Sequence, residues 1–358
     1  MNILFVSLEE SGKKISNTIL REISKKSSQH NYFTFGLDGN FSNKIKEIKN
    51  TKIIPLMGFM EVLKNILYIF NLRNILIKRV KKFNIDHIFF IDSFDFSRFF
   101  YKKFNIIKCS QIVGPSVFIW KKNKANFINN NFEKLFSIFI DEKKYYKTNK
   151  FSFIGHPLSS DIIIRKTKFN DIKNIGIFLG SRDQEVINNL EIISTFVNSS
   201  HLKFNFFFFT LTKYKKFIKK EFLNNHNVKI LLNDKNYYSN ISKLDFALAC
   251  SGTVHLELSL SKIPHLIFYR TNIINALIFK LFINIKFISL LNIFSNKEIV
   301  KEFIQNDFNS SSIHSYVNFI NHKHKLNKLS QELSLSVNKN NINYFNVSPI
   351  IDYLKMFS

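Results

Sequence analysis

The sequence predicts an α/β protein whose parallel sheets are covered by helices, and three observations support this prediction. Short apolar runs alternate with longer amphipathic runs, as in strands that are joined by helices. This order restarts near Ile175, after Gly155-His156-Pro157 and a polar stretch. The chain has 358 residues, of which 45% are hydrophobic, and is long enough for two domains with sizeable cores. We therefore expect two Rossmann-like domains with a boundary near residue 158.

The expected elements follow from the apolar runs in chain order. In the first domain the runs at residues 2–7, 88–92 and 111–113 predict strands, and helices are expected after the first two. In the second domain the predicted strands are residues 175–179, 204–210, 229–232, 246–249 and 265–269. A short helical run at residues 348–357 is expected to pack back on the first domain. The predicted domains are residues 1–158 and 159–347, followed by a C-terminal helix in residues 348–358.

The chain is strongly basic, with 52 Lys and Arg against 26 Asp and Glu, which gives a formal net charge of +26. The composition favours Lys, Asn, Ile and Phe, residues with A/T-rich codons, so part of this charge reflects nucleotide drift. The lysines are scattered and no RNA- or DNA-binding signature occurs, so we expect no nucleic-acid partner. An anionic phospholipid surface or a phosphorylated substrate explains the charge equally well.

Cysteine usage and the distribution of apolar residues predict a cytoplasmic protein. Cys109 and Cys250 are far apart in sequence, which excludes a disulfide framework and fits a reducing compartment. Acidic residues directly follow the first apolar run, unlike in a signal peptide, so no cleavage is expected. The apolar stretch at residues 273–294 is interrupted by Lys280 and Lys286, which argues against a membrane-spanning helix.

The segment at residues 59–82 has two interpretations. Its apolar side chains include Leu67 and Phe70, and it contains several Lys and Arg residues. Such a helix can lie in a membrane interface with its cations at the lipid headgroups. It can also be an ordinary core-facing helix of the first domain, which its periodicity alone slightly favours.

The loop Gly180-Ser181-Arg182 is the first candidate binding site. It follows an apolar strand, and Ser181 stands three residues before Gln184, the spacing of a capping box at a helix start. Free N–H groups at that start suit a diphosphate, to which Arg182 can add a charge-assisted contact. The alternative is an ordinary turn with a solvated arginine, in which Glu185 stabilises the helix start.

A second loop of the same kind, Ser251-Gly252-Thr253, follows the apolar strand that is predicted at residues 246–249. It also precedes a helix, so we expect a second anion site in the same domain. Glu257, in the first turns of that helix, can accept hydrogen bonds from a ribose diol or can be a plain surface carboxylate. The ligand is expected at the carboxyl ends of the strands, in a cleft between the two domains.

Asp92 is the candidate general base, because it ends an apolar strand and is expected to face that cleft, where partial desolvation raises the pKa of a carboxyl group. Asp95 is expected to be a helix N-cap. Glu9, after the first strand, is expected to face the same cleft or to interact with the helix dipole.

Dinucleotide, Walker A and nucleophile-elbow motifs are missing from the sequence, which weakens dehydrogenase, NTPase and serine-hydrolase hypotheses. No third ligand accompanies the two aspartates, so no metal is expected. No other cofactor is expected.

Eight motifs stand out when they are taken in order along the chain. They are Glu9 with Ser11-Gly12, residues 57–63, residues 91–96, residues 115–120 with the sole tryptophan, residues 153–156, residues 180–185, Ser251-Gly252-Thr253 with Leu256-Glu257, and Tyr269-Arg270 followed by Asn292. In this order they resemble the motifs of the lipid-A-disaccharide synthase family, GT-B glycosyltransferases of outer-membrane lipid assembly. The resemblance runs through nearly the whole chain.

The resemblance implies an inverting, metal-independent transfer of 2,3-diacylglucosamine from its UDP conjugate to 2,3-diacylglucosamine 1-phosphate. The products would be a β(1→6) disaccharide 1-phosphate and UDP. Because both substrates have acyl chains, the resemblance also favours docking of residues 59–82 on an anionic membrane surface. The implied location is peripheral, on the cytoplasmic face of the inner membrane.

The resemblance also implies roles for individual residues. Asp92 would take the proton from the acceptor 6-hydroxyl, and Glu9 would help hold the acceptor. The loop Gly180-Ser181-Arg182 would stabilise the leaving diphosphate of UDP. Glu257 would contact the ribose, and Ser251, Gly252, Thr253 and Asn292 would line the nucleotide pocket.

Departures from the family pattern leave these residues in place. Leu8 replaces a glycine, Lys13 replaces an acid, and Leu179 and Leu291 replace prolines, so a working but less stable enzyme is expected.

Two alternative functions remain. Another GT-B enzyme acting on a UDP-sugar, an epimerase or the undecaprenyl-linked N-acetylglucosamine transferase, would share the loop at Ser251 but not the motifs at residues 57 and 115. A degenerate membrane-surface protein would bind without turnover.

Overall fold

The computed structural model describes residues 1–26, 30–37, 45–49, 65–115, 123–165, 167–200, 202–270 and 286–356, although not the side chains of Glu10, Ser11, Lys14 and Lys26. The chain divides into two compact units. Unit 1 consists of Met1–Leu158 with Asn341–Ser358, and unit 2 of Ser159–Asn340. The sequence motifs at residues 57–63 and 116–120 lie outside the described residues.

Unit 1 contains a seven-stranded sheet in which every neighbouring pair of strands is parallel. Its strands are β1 (Asn2–Val6), β2 (Asn31–Phe35), β3 (Ile45–Lys49), β4 (His87–Ile91), β5 (Lys108–Ile112), β6 (Leu135–Ser137) and β7 (Phe151–Phe153). The strand order is β3-β2-β1-β4-β5-β6-β7, so the direction of winding reverses between β1 and β4. Ligands of doubly wound sheets bind at such a switch point, outside the carboxyl ends of the strands.

Four described helices connect these strands: α1 (Glu10–Lys26), α2 (Ile66–Lys82), α3 (Phe94–Lys103) and α4 (Asn123–Asn131). Helix α2 buries Leu72 and Leu76 in the core of unit 1, as the core-facing interpretation of this segment predicts. Its first turns also expose apolar side chains, most of all Leu67, which is 84% exposed. None of the helices in the described ranges is long and apolar enough to cross a membrane.

Unit 2 contains a six-stranded sheet, again with parallel pairing throughout. Its strands are β8 (Asn174–Phe178), β9 (Asn205–Thr210), β10 (Val228–Leu232), β11 (Phe246–Cys250), β12 (His265–Tyr269) and β13 (Lys301–Ile304). Its described helices are α5 (Asp183–Ser200), α6 (Lys215–Glu221), α7 (Tyr237–Ile241), α8 (Val254–Leu260), α9 (Leu290–Ser295), α10 (Ser310–Ile320) and α11 (Lys323–Lys339). The strand order β10-β9-β8-β11-β12-β13 places a second switch point between β8 and β11.

The chain returns to unit 1 after unit 2 and ends there in helix α12 (Ser348–Lys355). The ring of Tyr353 packs edge-on against Phe89 and Phe136, with ring centroids 6.2 Å and 5.6 Å away. The returning segment also passes close to Gly155, which has φ of +74°. A Cβ at Gly155 would lie 1.9 Å from the carbonyl oxygen of Tyr344, so this crossing requires glycine. The returning segment therefore belongs to the core of unit 1.

Two parallel sheets covered by helices confirm the predicted α/β class with two Rossmann-like domains. Most predicted strands are present with ends shifted by one to three residues, and the strand at His265–Tyr269 has the predicted limits. The prediction missed β2, β3, β6, β7 and β13.

Candidate active site

The candidate site residues of both units follow strands that flank a switch point. In unit 1, Glu9 follows β1 and Asp92 directly follows β4. In unit 2, Gly180 follows β8 and Ser251 directly follows β11. The carboxyl ends of neighbouring parallel strands lie at the same edge of the sheet, so each unit brings its two loops together.

Asp92 and Ser93 form a tight turn with unusual backbone geometry. Their φ angles are 57° and 48°, in the left-handed region that residues other than glycine seldom occupy. Such conformations cost on the order of 1–3 kcal/mol each and persist where surrounding contacts enforce them. The N–H of Ser93 donates to Oδ1 of Asp92 at 3.0 Å, which holds the half-buried carboxylate against the turn.

A hydrogen bond joins this turn to the loop after β1. The hydroxyl of Ser93 donates to Oε1 of Glu9 at 3.0 Å. Gly12, at the start of α1, lies so near that a Cβ there would be 3.2 Å from the Cβ of Asp92 and 2.5 Å from Oγ of Ser7. The structure thus brings together the two carboxylates that we expected to face one site, and it joins them through Ser93, a residue that the sequence did not single out.

The expectation that Asp95 is a helix N-cap is wrong. Ser93 is the N-cap of α3, and Asp95 lies in the first turn of that helix. The Asp95 carboxylate is exposed and pairs with Lys124 Nζ at 2.8 Å. It belongs to the solvent-facing side of the helix, away from the bond between Ser93 and Glu9.

In unit 2, the loop Gly180-Ser181-Arg182 wraps around the carboxylate of Glu185. Oε2 of Glu185 accepts the backbone N–H groups of Ser181 at 3.2 Å and of Arg182 at 3.3 Å, and Oε1 pairs with the Arg182 guanidinium. Gly180 has φ of +109°, and a Cβ there would lie 2.6 Å from Oε2 of Glu185. The groups expected to hold a diphosphate are therefore together, and an internal carboxylate takes their hydrogen bonds in this structure.

The start of α5 differs from the predicted capping box. Helix α5 begins at Asp183, and the side chain of Gln184 donates to Asn188 at 2.8 Å instead of reaching back to the helix start. Glu185, one residue later, reaches back instead and accepts the N–H of Ser181, so it stabilises the helix start as the alternative interpretation of this residue predicts. The positive helix end is thus stabilised by a carboxylate.

A buried amide links the two loops of unit 2. The side chain of Asn189 donates to the carbonyl of Leu179 at 2.9 Å and to Sγ of Cys250 at 3.6 Å, which ties the end of β8 to the end of β11. The adjoining loop at Ser251 is more open. Among the described residues other than Gly252 and its two chain neighbours, no heavy atom would lie within 4 Å of a Cβ at Gly252.

Glu257 is not a surface carboxylate, because it is only 2% exposed on α8. Its Oε2 accepts the hydroxyl of Tyr237 at 2.7 Å, and its Oε1 accepts that of Tyr238 at 3.4 Å. Burial and the nearby Glu257 carboxylate raise the pKa of both tyrosine hydroxyls, so both remain hydrogen-bond donors at neutral pH. Contact between Glu257 and a ribose stays a prediction.

The buried side chain of Asn292 connects α9 to β13 through hydrogen bonds. Its amide donates to the carbonyl of Val300 and to Glu302, both at 2.7 Å. Its Oδ1 accepts the N–H groups of Ile299 and Val300 at 2.8 Å and 2.9 Å. These bonds use the full capacity of the amide. The expectation that Asn292 lines a nucleotide pocket stays a prediction that needs one of them to be exchanged.

Within the described ranges, no three His, Cys, Asp or Glu side chains lie together as a metal site would require.

The family model and the sequence relatives point to the same family. The family model described as Lipid-A-disaccharide synthetase matches residues 3–345. The lipid-A-disaccharide synthase of Aquifex aeolicus is 27% identical over 318 residues, which are 85% of this chain and 86% of the relative. That of Rickettsia prowazekii is 29% identical over 323 residues, which are 85% of this chain and 84% of the relative.

Solved structures share the fold. A glycosyltransferase from Rickettsia africae has a TM-score of 0.55 at 13% identity, over 99% of this chain and 98% of that one. The UDP-GlcNAc 2-epimerase of Neisseria meningitidis, bound to UDP-GlcNAc, has a TM-score of 0.60 at 16% identity over the full length of both chains. At such identities the likeness shows the fold alone, and it confirms the predicted GT-B class.

Proposed function

Because the chain belongs to the lipid-A-disaccharide synthase family of GT-B glycosyltransferases, which act in lipid A synthesis, we propose the following reaction. The enzyme transfers 2,3-diacylglucosamine from its UDP conjugate to the 6-hydroxyl of 2,3-diacylglucosamine 1-phosphate. The products are the β(1→6) disaccharide 1-phosphate and UDP. The observation that most strongly supports this reaction is the bonded pair of loops that presents Glu9 and Asp92 at the switch point of unit 1.

In this proposal Asp92 is the general base. It accepts the proton of the acceptor 6-hydroxyl while that oxygen attacks C1 of the UDP-linked sugar. The bond from C1 to the diphosphate oxygen breaks in the same step, so the configuration at C1 inverts and UDP leaves. Glu9 holds the acceptor side, and its bond from Ser93 keeps it next to Asp92.

Unit 2 stabilises the negative charge that develops on the diphosphate. The guanidinium of Arg182 and the N–H groups of Ser181 and Arg182 are the donors, and Glu185 must release them when the diphosphate binds. The loop Ser251-Gly252-Thr253, in which Gly252 and Thr253 are exposed, supports the nucleotide, because the space above Gly252 is open among the described residues. Glu257 and Asn292 complete the proposed nucleotide site.

The test of this function is the release of UDP from purified protein that is given the UDP conjugate with and without the acceptor. We expect UDP and a disaccharide phosphate only when both substrates are present. Conversion of the UDP-sugar without acceptor would favour the epimerase alternative. Binding of both substrates without UDP release would favour the degenerate binding protein and reject the proposal.

Changing Arg182 to alanine is expected to lower kcat by about 10²–10³-fold, because the departing diphosphate loses a charged donor. Arg182→Lys keeps the charge without the planar fork, so we expect it to be intermediate. The measurement is the initial rate of UDP release with both substrates at saturation. The matched control is Lys213→Ala, which removes a cation from an exposed ion pair with Asp183 at the start of the same helix. An Arg182→Ala rate close to that of the control would contradict the role of Arg182.

We also propose that α2 docks the enzyme on an anionic membrane surface at the cytoplasmic face of the inner membrane. Ile66, Leu67 and Phe70 are 42%, 84% and 43% exposed at the start of the helix. Basic side chains follow, with Arg73 stacked over the rings of Phe70 and Phe99 and Lys81 and Lys82 in the last turn. Exposed apolar side chains beside cations are typical of helices that lie in a lipid interface.

The double variant Leu67→Ser with Phe70→Ser is expected to weaken binding to vesicles of anionic phospholipid at least about tenfold, because two apolar side chains no longer enter the lipid. Sedimentation with the vesicles measures the bound fraction. Leu202→Ser is the control, since Leu202 is 87% exposed but lies in unit 2. Equal sedimentation of the native protein and the double variant would exclude α2 as the anchor.

A further inference from the structure

The amide of Gln111 joins three elements around the Asp92 turn. Gln111 lies on β5 and is completely buried. Its Nε2 donates to the carbonyl oxygen of Asp92 at 2.8 Å and to that of Val113 at 3.0 Å. Its Oε1 accepts the hydroxyl of Ser97, on α3, at 2.9 Å. One side chain therefore connects the end of β4, the end of β5 and the helix that follows Asp92.

Nε2 of Gln111 also lies 3.4 Å from the carbonyl oxygen of Ile112, but its two shorter bonds run to residues with left-handed backbones. Asp92 has φ of 57°, and Val113 has φ of 64° although it is β-branched. A β-branched residue in this region is a conformational outlier that requires external support. The N–H of Asp92 also donates to Ile112 at 2.9 Å, so the turn is bonded to β5 through its own backbone as well. The strained ends of β4 and β5 are thus both hydrogen-bonded to the side-chain amide of Gln111.

We propose that Gln111 is a positioning residue that fixes the Asp92 carboxylate where it can accept the proton of the acceptor. This inference rests on the proposed function, because it presumes that Asp92 is the base. The distances place Gln111 on the backbone of Asp92 and not on its carboxylate. Gln111 acts by fixing the turn from which the Asp92 side chain projects. Small displacements of a catalytic group are sufficient to slow a reaction severely.

The test is Gln111→Met, which keeps the length of the side chain but removes its hydrogen bonds. We expect kcat to fall about 10–100-fold while the KM of each substrate changes less than about twofold. The control is Asn129→Leu. Asn129 is also a buried amide of unit 1, but it binds the carbonyl of Tyr145 and the N–H of Lys147, outside the two loops of the site. We expect this control to lower the melting temperature without lowering kcat.

A second pair of variants separates positioning from general destabilisation. If Gln111 acts through Asp92, Gln111→Met lowers kcat in the native background and changes it less than about twofold in an Asp92→Asn background. An equal fall in both backgrounds, or a fall no larger than that of Asn129→Leu, overturns the inference while leaving the proposed function intact. If Asp92→Asn alone has native activity, the proposed base is wrong and this inference fails with it.

Ser97→Ala provides a milder variant in case Gln111→Met does not fold. It removes the hydroxyl that orients the Gln111 amide and leaves the amide in place. We expect kcat to fall about threefold to tenfold with unchanged KM values, and again only when Asp92 is present. Native kcat in Ser97→Ala overturns the inference.

Discussion

Replacing Asp92 by asparagine is expected to lower kcat for UDP release by about 10²–10⁴-fold, the range that general-base catalysis contributes. The variant cannot accept the proton of the acceptor hydroxyl, so the attacking oxygen is a much weaker nucleophile. Asparagine tolerates the left-handed backbone of this position, so we expect the fold to be retained. Initial rates with both substrates, together with UDP affinity measured by calorimetry, check the expectation.

The matched control for this experiment is Asp95→Asn. Asp95 lies three residues further on, is exposed, and forms an ion pair with Lys124 at the protein surface. Its loss is expected to change kcat less than about twofold, because exposed ion pairs contribute little. UDP affinity should be native in both variants. Similar rates for the two variants would remove Asp92 from the mechanism.

Changing Glu142 to glutamine is expected to remove one contribution to the pH dependence of stability in unit 1. Glu142 is buried beside Ser137, whose hydroxyl donates to it. Burial raises the pKa of this carboxyl from 4.5 to about 8, although the bond from Ser137 opposes the shift. Between these values the folded state keeps a proton that the unfolded state releases, so stability falls as the pH rises from about 4.5 to about 8. Glutamine has no such proton.

Chemical denaturation at pH 5 and pH 8 tests this expectation. Over that interval we expect the native protein to lose roughly 4 kcal/mol of unfolding free energy relative to Glu142→Gln. Glu133→Gln is the control, because Glu133 is an exposed carboxylate of the same unit. It should follow the native protein at both pH values. Parallel profiles for the native protein and Glu142→Gln would mean that Glu142 ionises at its ordinary pKa in the folded state.

The sequence predicts strands with continuous apolar runs better than strands that are charged or very short, for a physical reason. Strands such as β4 and β12 are buried on both faces, so they appear as continuous apolar runs. The edge strand β3, with sequence IKEIK, exposes two charged side chains and shows no such run. Strand β6 has three residues, too few for a periodic pattern. What the sequence does not reveal here is the pairing partner that makes these short segments strands.

In the candidate site, too, the sequence predicts some features and not others. Asp92 and Glu9 are recognisable because they stand where apolar runs end, which is a local property of the sequence. The bond from Ser93 to Glu9 joins residues 84 positions apart, and that from Tyr237 to Glu257 joins residues 20 positions apart. Only the folded chain brings these partners together. For this reason the sequence left two interpretations of Glu257 open, and it gave no sign that Gln111, a polar residue in a strand, contacts the Asp92 turn.

The return of the chain to unit 1 has a consequence for biosynthesis. Residues Met1–Leu158 emerge from the ribosome first, but their core includes Tyr353 and the rest of the segment that follows unit 2. Translation of unit 2 takes on the order of tens of seconds, during which the earlier residues wait with part of their apolar surface exposed. Unit 2, whose residues are contiguous, can complete its folding first. We therefore expect the nascent chain to need chaperone protection most while unit 2 is being translated.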